Sequence, residues 1–153
     1  MVERILYVCA SPIGERSVSA QITDAFLAAL AERKAVEIDH LNPWECDLPE
    51  VDGALLAAKY AGLGDAPLST AQAAAWDRIK TLAQRFHRAD TLVFSVPLWN
   101  FGIPYKLKHL IDVVSQKDLR FTFDERGLNG LLDGRKVVVI AARGAPLDRA
   151  RRH

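Results

Sequence analysis

Three serines crowd the segment SPIGERSVS, Ser11 to Ser19, directly after a short apolar run. Ser11, Ser17 and Ser19 flank a tight turn that hands the chain to a helix. Backbone N–H groups at a helix start carry partial positive charge and serine hydroxyls add donors, so this is a natural seat for a phosphate. Arg16 could assist or simply be solvated. The same spacing also suits plain capping, with Ser17 or Ser19 closing the helix and nothing more. The residues match neither a GxxxxGK[ST] loop nor a GxGxxG fingerprint, which removes support for nucleoside triphosphates and the usual dinucleotide geometry.

A second segment, SVPLWNFGIP (95–104), leaves an apolar run through two large aromatics. Backbone amides of such a turn can bond the edge of a flat heterocycle while Trp99 or Phe101 supplies a wall. Gly102 would let the backbone come close. The competing reading packs these aromatics under a neighbouring loop. A third segment, AARGAP (141–146), follows another apolar run, and its Arg143 is free to face a ligand, a partner subunit or water. The four histidines, His40, His87, His109 and His153, are scattered and form no Ser/His/Asp arrangement, so no catalytic residue is assigned. His109 and Asp112 stand one helical turn apart and read as a solvated pair. Trp44 and Trp76 read as packing residues. Cys9 and Cys46 show no CxxC or His/Cys ligand spacing, so neither a disulfide framework nor a metal site is expected. Cys9 reads as a small buried hydrophobe.

The elements that position these segments follow from periodicity. RILYVCA (4–10) and TLVFSV (91–96) are nearly continuous apolar runs, the pattern of strands buried on both faces. AVEIDHL (35–41) alternates, as a more exposed strand does, and VVVIAA (137–142) is the most strand-like run of all. Helices are expected over 19–33, with Ile22, Ala25, Phe26, Ala29 and Leu30 inward, and briefly around 54–60. A third follows Ser69 or Thr70, with Ala75, Ile79, Leu82, Ala83 and Phe86 on one face. A fourth opens near Pro104 and carries Leu107, Leu110, Ile111 and Val114. Residues 121–133 read as loop, with FTF pairing briefly at most. Alternation of strand and helix means a parallel sheet with helices on both faces, and ligands at the strands' carboxyl ends beside the switch in strand order. The 153 residues suit one domain, 1–153. A net charge of +1 excludes a large electrostatic commitment to nucleic acid. No apolar stretch approaches the ~20 residues of a membrane span and no signal peptide is visible, so a cytoplasmic protein is expected.

Together the segments resemble the FMN-dependent NADH-azoreductase and NAD(P)H quinone reductase family, which is flavodoxin-like. PLWNFGIPYKLKHLID is similar to that family's FMN-loop signature, and the serine spacing to its phosphate loop. FTFDERGLNGLLDGRKVVVI resembles its next segment, and AARGA stands where the family shows SRGG. The resemblance implies an α/β, three-layer α/β/α doubly wound sheet. It implies FMN as cofactor, with the phosphate on Ser11, Ser17, Val18 and Ser19. Leu98, Trp99, Asn100 and Phe101 would line the isoalloxazine, and Ala142, Arg143, Gly144 and Ala145 would close its other side. It further implies NADH or NADPH as donor, a quinone or azo acceptor, and a homodimer with the site at the subunit interface.

Two departures stand out. Ala142 replaces a serine and Ala145 a glycine; one lost hydroxyl costs on the order of 1 kcal/mol where backbone groups do most of the holding. The sequence also stops about one turn beyond the fourth strand, so a sheet of order 2-1-3-4 is expected, lacking a fifth strand and a closing helix of roughly 45 residues. That shortfall leaves the fourth strand as an edge and predicts lower stability than a complete relative. It keeps two other readings open: a family member without turnover that serves as a flavin-binding or interaction module, and a flavodoxin-type electron carrier.

Overall fold

The computed structural model describes residues 1–62, 67–116, 121–124, 127–130, 132 and 134–144. The chain runs β1 (Glu3–Cys9), α1 (Val18–Ala31), β2 (Val36–Leu41), α2 (Gly53–Gly62), α3 (Thr70–Arg88), β3 (Thr91–Pro97), α4 (Tyr105–Val114), β4 (Phe121–Asp124), β5 (Gly127–Gly130) and β6 (Lys136–Ala142). Four strands form a parallel sheet in the order β2-β1-β3-β6. This is the expected 2-1-3-4 order, with β6 as the fourth parallel strand. The expected loop over 121–133 instead contains an antiparallel hairpin, β4 with β5, in which Phe121 opposes Gly130 and Asp124 opposes Gly127.

Successive strand side chains point to opposite faces, and β1 shows what that requires of a doubly covered strand. Leu6 and Val8 join Leu92 against Ile79 and Phe86 of α3 and Leu107, Leu110 and Val113 of α4. Ile5 and Tyr7 join Val93 on the other face, against Leu27 of α1. The sheet is therefore the middle of three layers. Fully burying each such aliphatic side chain stabilises by about 1.5–3 kcal/mol, whereas an exposed helical pair such as Lys108–Asp112 contributes about 0.3–0.5 kcal/mol. The core decides the fold; the surface pairs adjust it.

The helices begin where chemistry satisfies their free N–H groups. Ser69 caps α3 reciprocally: its hydroxyl accepts from Gln72 N–H (3.2 Å), and its own N–H donates to Gln72 Oε1 (2.9 Å). Pro104 precedes α4 as its cap. Two apolar stripes differ from expectation. On α1 the buried residues are Ser19, Ala20, Thr23 and Leu27, while Ile22 is exposed. Small residues let this helix sit close to the sheet, and Thr23 can be buried because its hydroxyl donates to Ser19 O (2.8 Å). On α4 it is Val113, not Ile111, that reaches the core. At the far side of the sheet β6 pairs with β3, and its Val137 and Val139 are exposed.

Arg85 of α3 ties the layers at the β2 edge. Its guanidinium donates to both Asp39 oxygens (2.9 and 2.6 Å) and to His40 O (2.5 Å). The bond holds the Asp39 carboxyl below the usual carboxylate range. A carboxyl lowered on folding stabilises fully above its unfolded pKa, near 4, and that contribution fades as pH falls through the lowered folded value. Asp39 is half exposed, so the contribution is at most about 1 kcal/mol. Asp39→Asn is expected to lower the urea midpoint slightly at pH 7 and to differ less from the parent as the pH is brought below the ordinary carboxylate range. A variant that loses equally at neutral and acid pH would show that the ion pair is not the cause.

Candidate ligand site

Sheet register brings three strand ends to the same edge of the sheet, within two residues of one level. Cys9 of β1 is level with Ser95 of β3, and Pro97 of β3 with Ala142 of β6. The ladder continues past the strands: Ala10 N–H donates to Ser95 O (2.9 Å), and Leu98 N–H donates to Ala142 O (2.8 Å). The segments that leave these ends enclose an open cleft of about 470 Å³, within the ordinary range for small-molecule sites. Of the residues expected there, Ser11, Ser17, Val18, Ser19, Leu98, Trp99, Ala142, Arg143 and Gly144 line it. Asn100 and Phe101 do not, and Ala145 lies outside the described residues.

At one end of the cleft, Ser11 O accepts from Gly14 N–H (3.1 Å), and Gly14 O accepts from Ser17 N–H (3.0 Å). Gly14 has φ +54°, a conformation that suits glycine. Ser17 caps α1, its hydroxyl accepting from Ala20 N–H (3.1 Å), and lies 3.2 Å from the Ser19 hydroxyl. Capping and anion binding are therefore compatible. The cap occupies a lone pair of Ser17, and the hydroxyl pair uses one proton between them, which leaves the other proton available. The N–H groups of Val18 and Ser19, in the first turn of α1, have no intrahelical acceptor. All three serines are buried, while Val18 is exposed. Arg16 and Arg143 add positive charge to the lining.

At the other end, Trp99 and Gly102 exchange two backbone bonds, Trp99 N–H to Gly102 O (2.9 Å) and Gly102 N–H to Trp99 O (2.8 Å). The two residues between them are both left-handed, Asn100 at φ +48° and Phe101 at φ +64°. This is a two-residue turn of the kind that usually takes Asn-Gly. Asparagine tolerates the conformation; phenylalanine costs about 1–2 kcal/mol there. The conformational demand thus falls on Asn100 and Phe101, not on Gly102, whose φ is ordinary and where an added Cβ would meet only Trp99 O at 3.7 Å. The Phe101 ring is fully exposed and Trp99 is 40% exposed. Leu98 and Trp99 N–H are engaged, and among the described residues no backbone acceptor meets the N–H groups of Asn100 and Phe101.

Trp44, expected only to pack, belongs to the site's support. Its indole Nε1–H donates to Ala10 O (2.9 Å). Its ring meets Trp99 at 6.2 Å between centroids and Tyr105 at 5.1 Å. The signal was its position: NPW follows β2 at the same carboxyl edge as the other strand ends. His109 does not pair with Asp112; its Nε2 lies 2.8 Å from Pro49 O, and Lys108 holds Asp112. Beneath the cleft, Tyr7 OH donates to Ser95 Oγ (3.3 Å), and burial pushes its pKa up to about 12, which keeps it neutral. Burial also pushes the Cys46 thiol up.

A parallel sheet switching strand order beside a cleft of this make-up defines a flavodoxin-like protein, and the family profile described as Flavodoxin-like fold matches residues 3–153. Over 144 residues the chain is 49% identical to FMN-dependent NADH:quinone oxidoreductase 2 of Pseudomonas syringae pv. tomato, covering 94% of this chain and 69% of that protein. Over 142 residues it is 52% identical to FMN-dependent NADH:quinone oxidoreductase 9 of Burkholderia lata, covering 92% and 68%. Among solved structures, the FMN-dependent NADH-azoreductase of Bacillus anthracis in complex with FMN superposes with a TM-score of 0.86 at 30% identity, over 94% of this chain and 70% of that one. The chain belongs to the flavodoxin-like family of FMN-dependent NADH:quinone oxidoreductases and azoreductases.

The strain at Phe101 is directly measurable. Phe101→Gly removes a ring that buries nothing and relieves the left-handed penalty, offset in part by glycine's greater unfolded freedom. Thermal or urea unfolding of the protein at concentrations where it is monomeric is expected to show no loss, and a gain of up to about 1 kcal/mol. A loss of 1 kcal/mol or more would mean that the ring packs.

Proposed function

We propose that the chain binds FMN in this cleft and works as an NAD(P)H:quinone oxidoreductase and azoreductase. The observation that carries the reading is the juxtaposition, across one cleft, of a buried serine pair at a helix start and an aromatic turn whose tip N–H groups meet no backbone acceptor among the described residues. The residues fit the cofactor at both ends. Ser11, Ser17 and Ser19, with the Val18 and Ser19 N–H groups, meet a dianionic phosphate with donors and a helix dipole. Leu98 and Trp99 give a flat ring an apolar wall, Asn100 and Phe101, next to Trp99 though outside the lining, would offer backbone donors to its edge, and Ala142 to Gly144 close the opposite side. When bound, FMN supplies hydride chemistry in two half-reactions, taking two electrons from NADH or NADPH and giving them to a quinone or azo acceptor.

The protein's own part is to bind and orient that ring, and the reading assigns no acid–base residue. The reading treats the chain as one domain acting in the cytoplasm as a homodimer. Exposed Val18, Trp99, Phe101, Ile103 and Tyr105 around the cleft mouth favour coverage by a second copy. Among the described residues no helix is long and apolar enough to cross a membrane. The relatives named for FMN-dependent NADH:quinone oxidoreduction support the substrate pair.

Purified protein titrated with FMN is expected to quench flavin fluorescence at a fixed stoichiometry. The loaded protein should bleach with NADH and regain colour with a quinone, giving parallel lines in double-reciprocal plots. Ser17→Ala is expected to weaken FMN by about 10- to 100-fold, as a lost bond to a charged group does, and to leave riboflavin nearly unchanged. Failure of wild-type protein to take up FMN would end this reading; uptake and bleaching without reoxidation by quinone would make it a flavin protein of another activity.

A further inference from the structure

We propose that Trp44 is a positioning residue that clamps the Ser11 turn to the Trp99 turn, setting both walls of the cleft before a ligand arrives; its ligand-binding consequence rests on the cleft being the FMN site. Trp44 does not line the cleft. It acts through two contacts on opposite walls: the indole N–H on Ala10 O, next to Ser11, and the ring against Trp99.

The clamp has a fixed base. Asn42 Oδ1 accepts Trp44 N–H (3.0 Å), and Asn42 O accepts from Glu45 and Cys46 N–H (3.1 and 3.2 Å). Asn42 Nδ2 donates to Glu45 Oε1 (2.8 Å), and Pro43 is fully buried. The indole is therefore aimed by a turn that closes on itself. The Ala10 peptide is gripped on both sides, its N–H by Ser95 O and its carbonyl by Trp44. Tyr105, the first residue of α4, stands edge-on to the same indole at 79° and completes an aromatic stack against the turn. The strained pair Asn100 and Phe101 gives the turn a reason to relax, and Trp99, its anchor, is where Trp44 packs. A site held this way spares the ligand the cost of ordering it.

Two variants separate the contacts. Trp44→Phe keeps a ring but removes the N–H; Trp44→Leu removes both. Hydrogen exchange on the ligand-free full chain is expected to speed up over 10–19 in the first, and over 10–19 and 97–103 in the second, with β2 and α3 unchanged. In flavin titrations, Trp44→Phe should raise the FMN Kd about three- to tenfold and the riboflavin Kd less, because the loosened wall is the phosphate end. Exchange that is unchanged, or that rises alike everywhere, overturns the clamp. So does an unchanged FMN Kd in both variants when wild type binds FMN. If wild type takes up no flavin yet the local exchange pattern appears, the flavin reading falls and the clamp stands.

Discussion

Everything at this site depends on the register of the parallel ladder. Two bonds beyond the strands, from Ala10 N–H to Ser95 O and from Leu98 N–H to Ala142 O, carry the sheet's alignment into the loops. A shift of one residue in the β1 pairing would exchange its two faces, sending Leu6 and Val8 to the side packed by Leu27 and Ile5 and Tyr7 to the side packed by Ile79 and Phe86, so the different packing of the two covered faces fixes the alignment. The cleft inherits that rigidity. Its lining comes from loops, but each loop starts from a peptide pinned to its neighbour.

Against that rigid frame, one turn is held in a conformation its residues do not favour. Asn100 and Phe101 occupy left-handed backbone, and the phenylalanine buries nothing in return. What the turn gains is the direction of its N–H groups: those of Leu98 and Trp99 face protein acceptors, and the two at the tip meet no backbone acceptor among the described residues. Strain of about 1–2 kcal/mol is small beside a core in which each buried aliphatic side chain contributes about as much.

The sheet was legible because burial on both faces leaves a plain mark. RILYVCA and TLVFSV need no partner information to read as central strands, and the order of elements left little choice of topology. Ser69 was legible as a cap because capping is local. The α1 face was not, since Thr23 is buried by virtue of a bond to Ser19 O that hydrophobicity cannot register. The β4–β5 pair was legible only as a brief pairing of FTF, because each strand is four residues long and β5, GLNG, has glycine at both ends. At the site, residue types picked out serines and a tryptophan that line one cleft, whereas the left-handed pair and the contacts of Trp44 exist only in three dimensions. Nothing in the letters NPW says that the indole N–H ends on Ala10 O.

The strand order also dictates when the cleft can exist. Ile5 pairs with Thr91, and Thr91 in turn with Lys136, so each wall waits for chain far downstream. A nascent chain that has made β1, α1 and β2 holds the serine turn but has no opposite wall until β3 arrives, and no third side until β6 pairs. Such long-range parallel pairing forms slowly. A ligand of this cleft therefore cannot seed the fold; it can only draw the population toward molecules whose sheet is already complete.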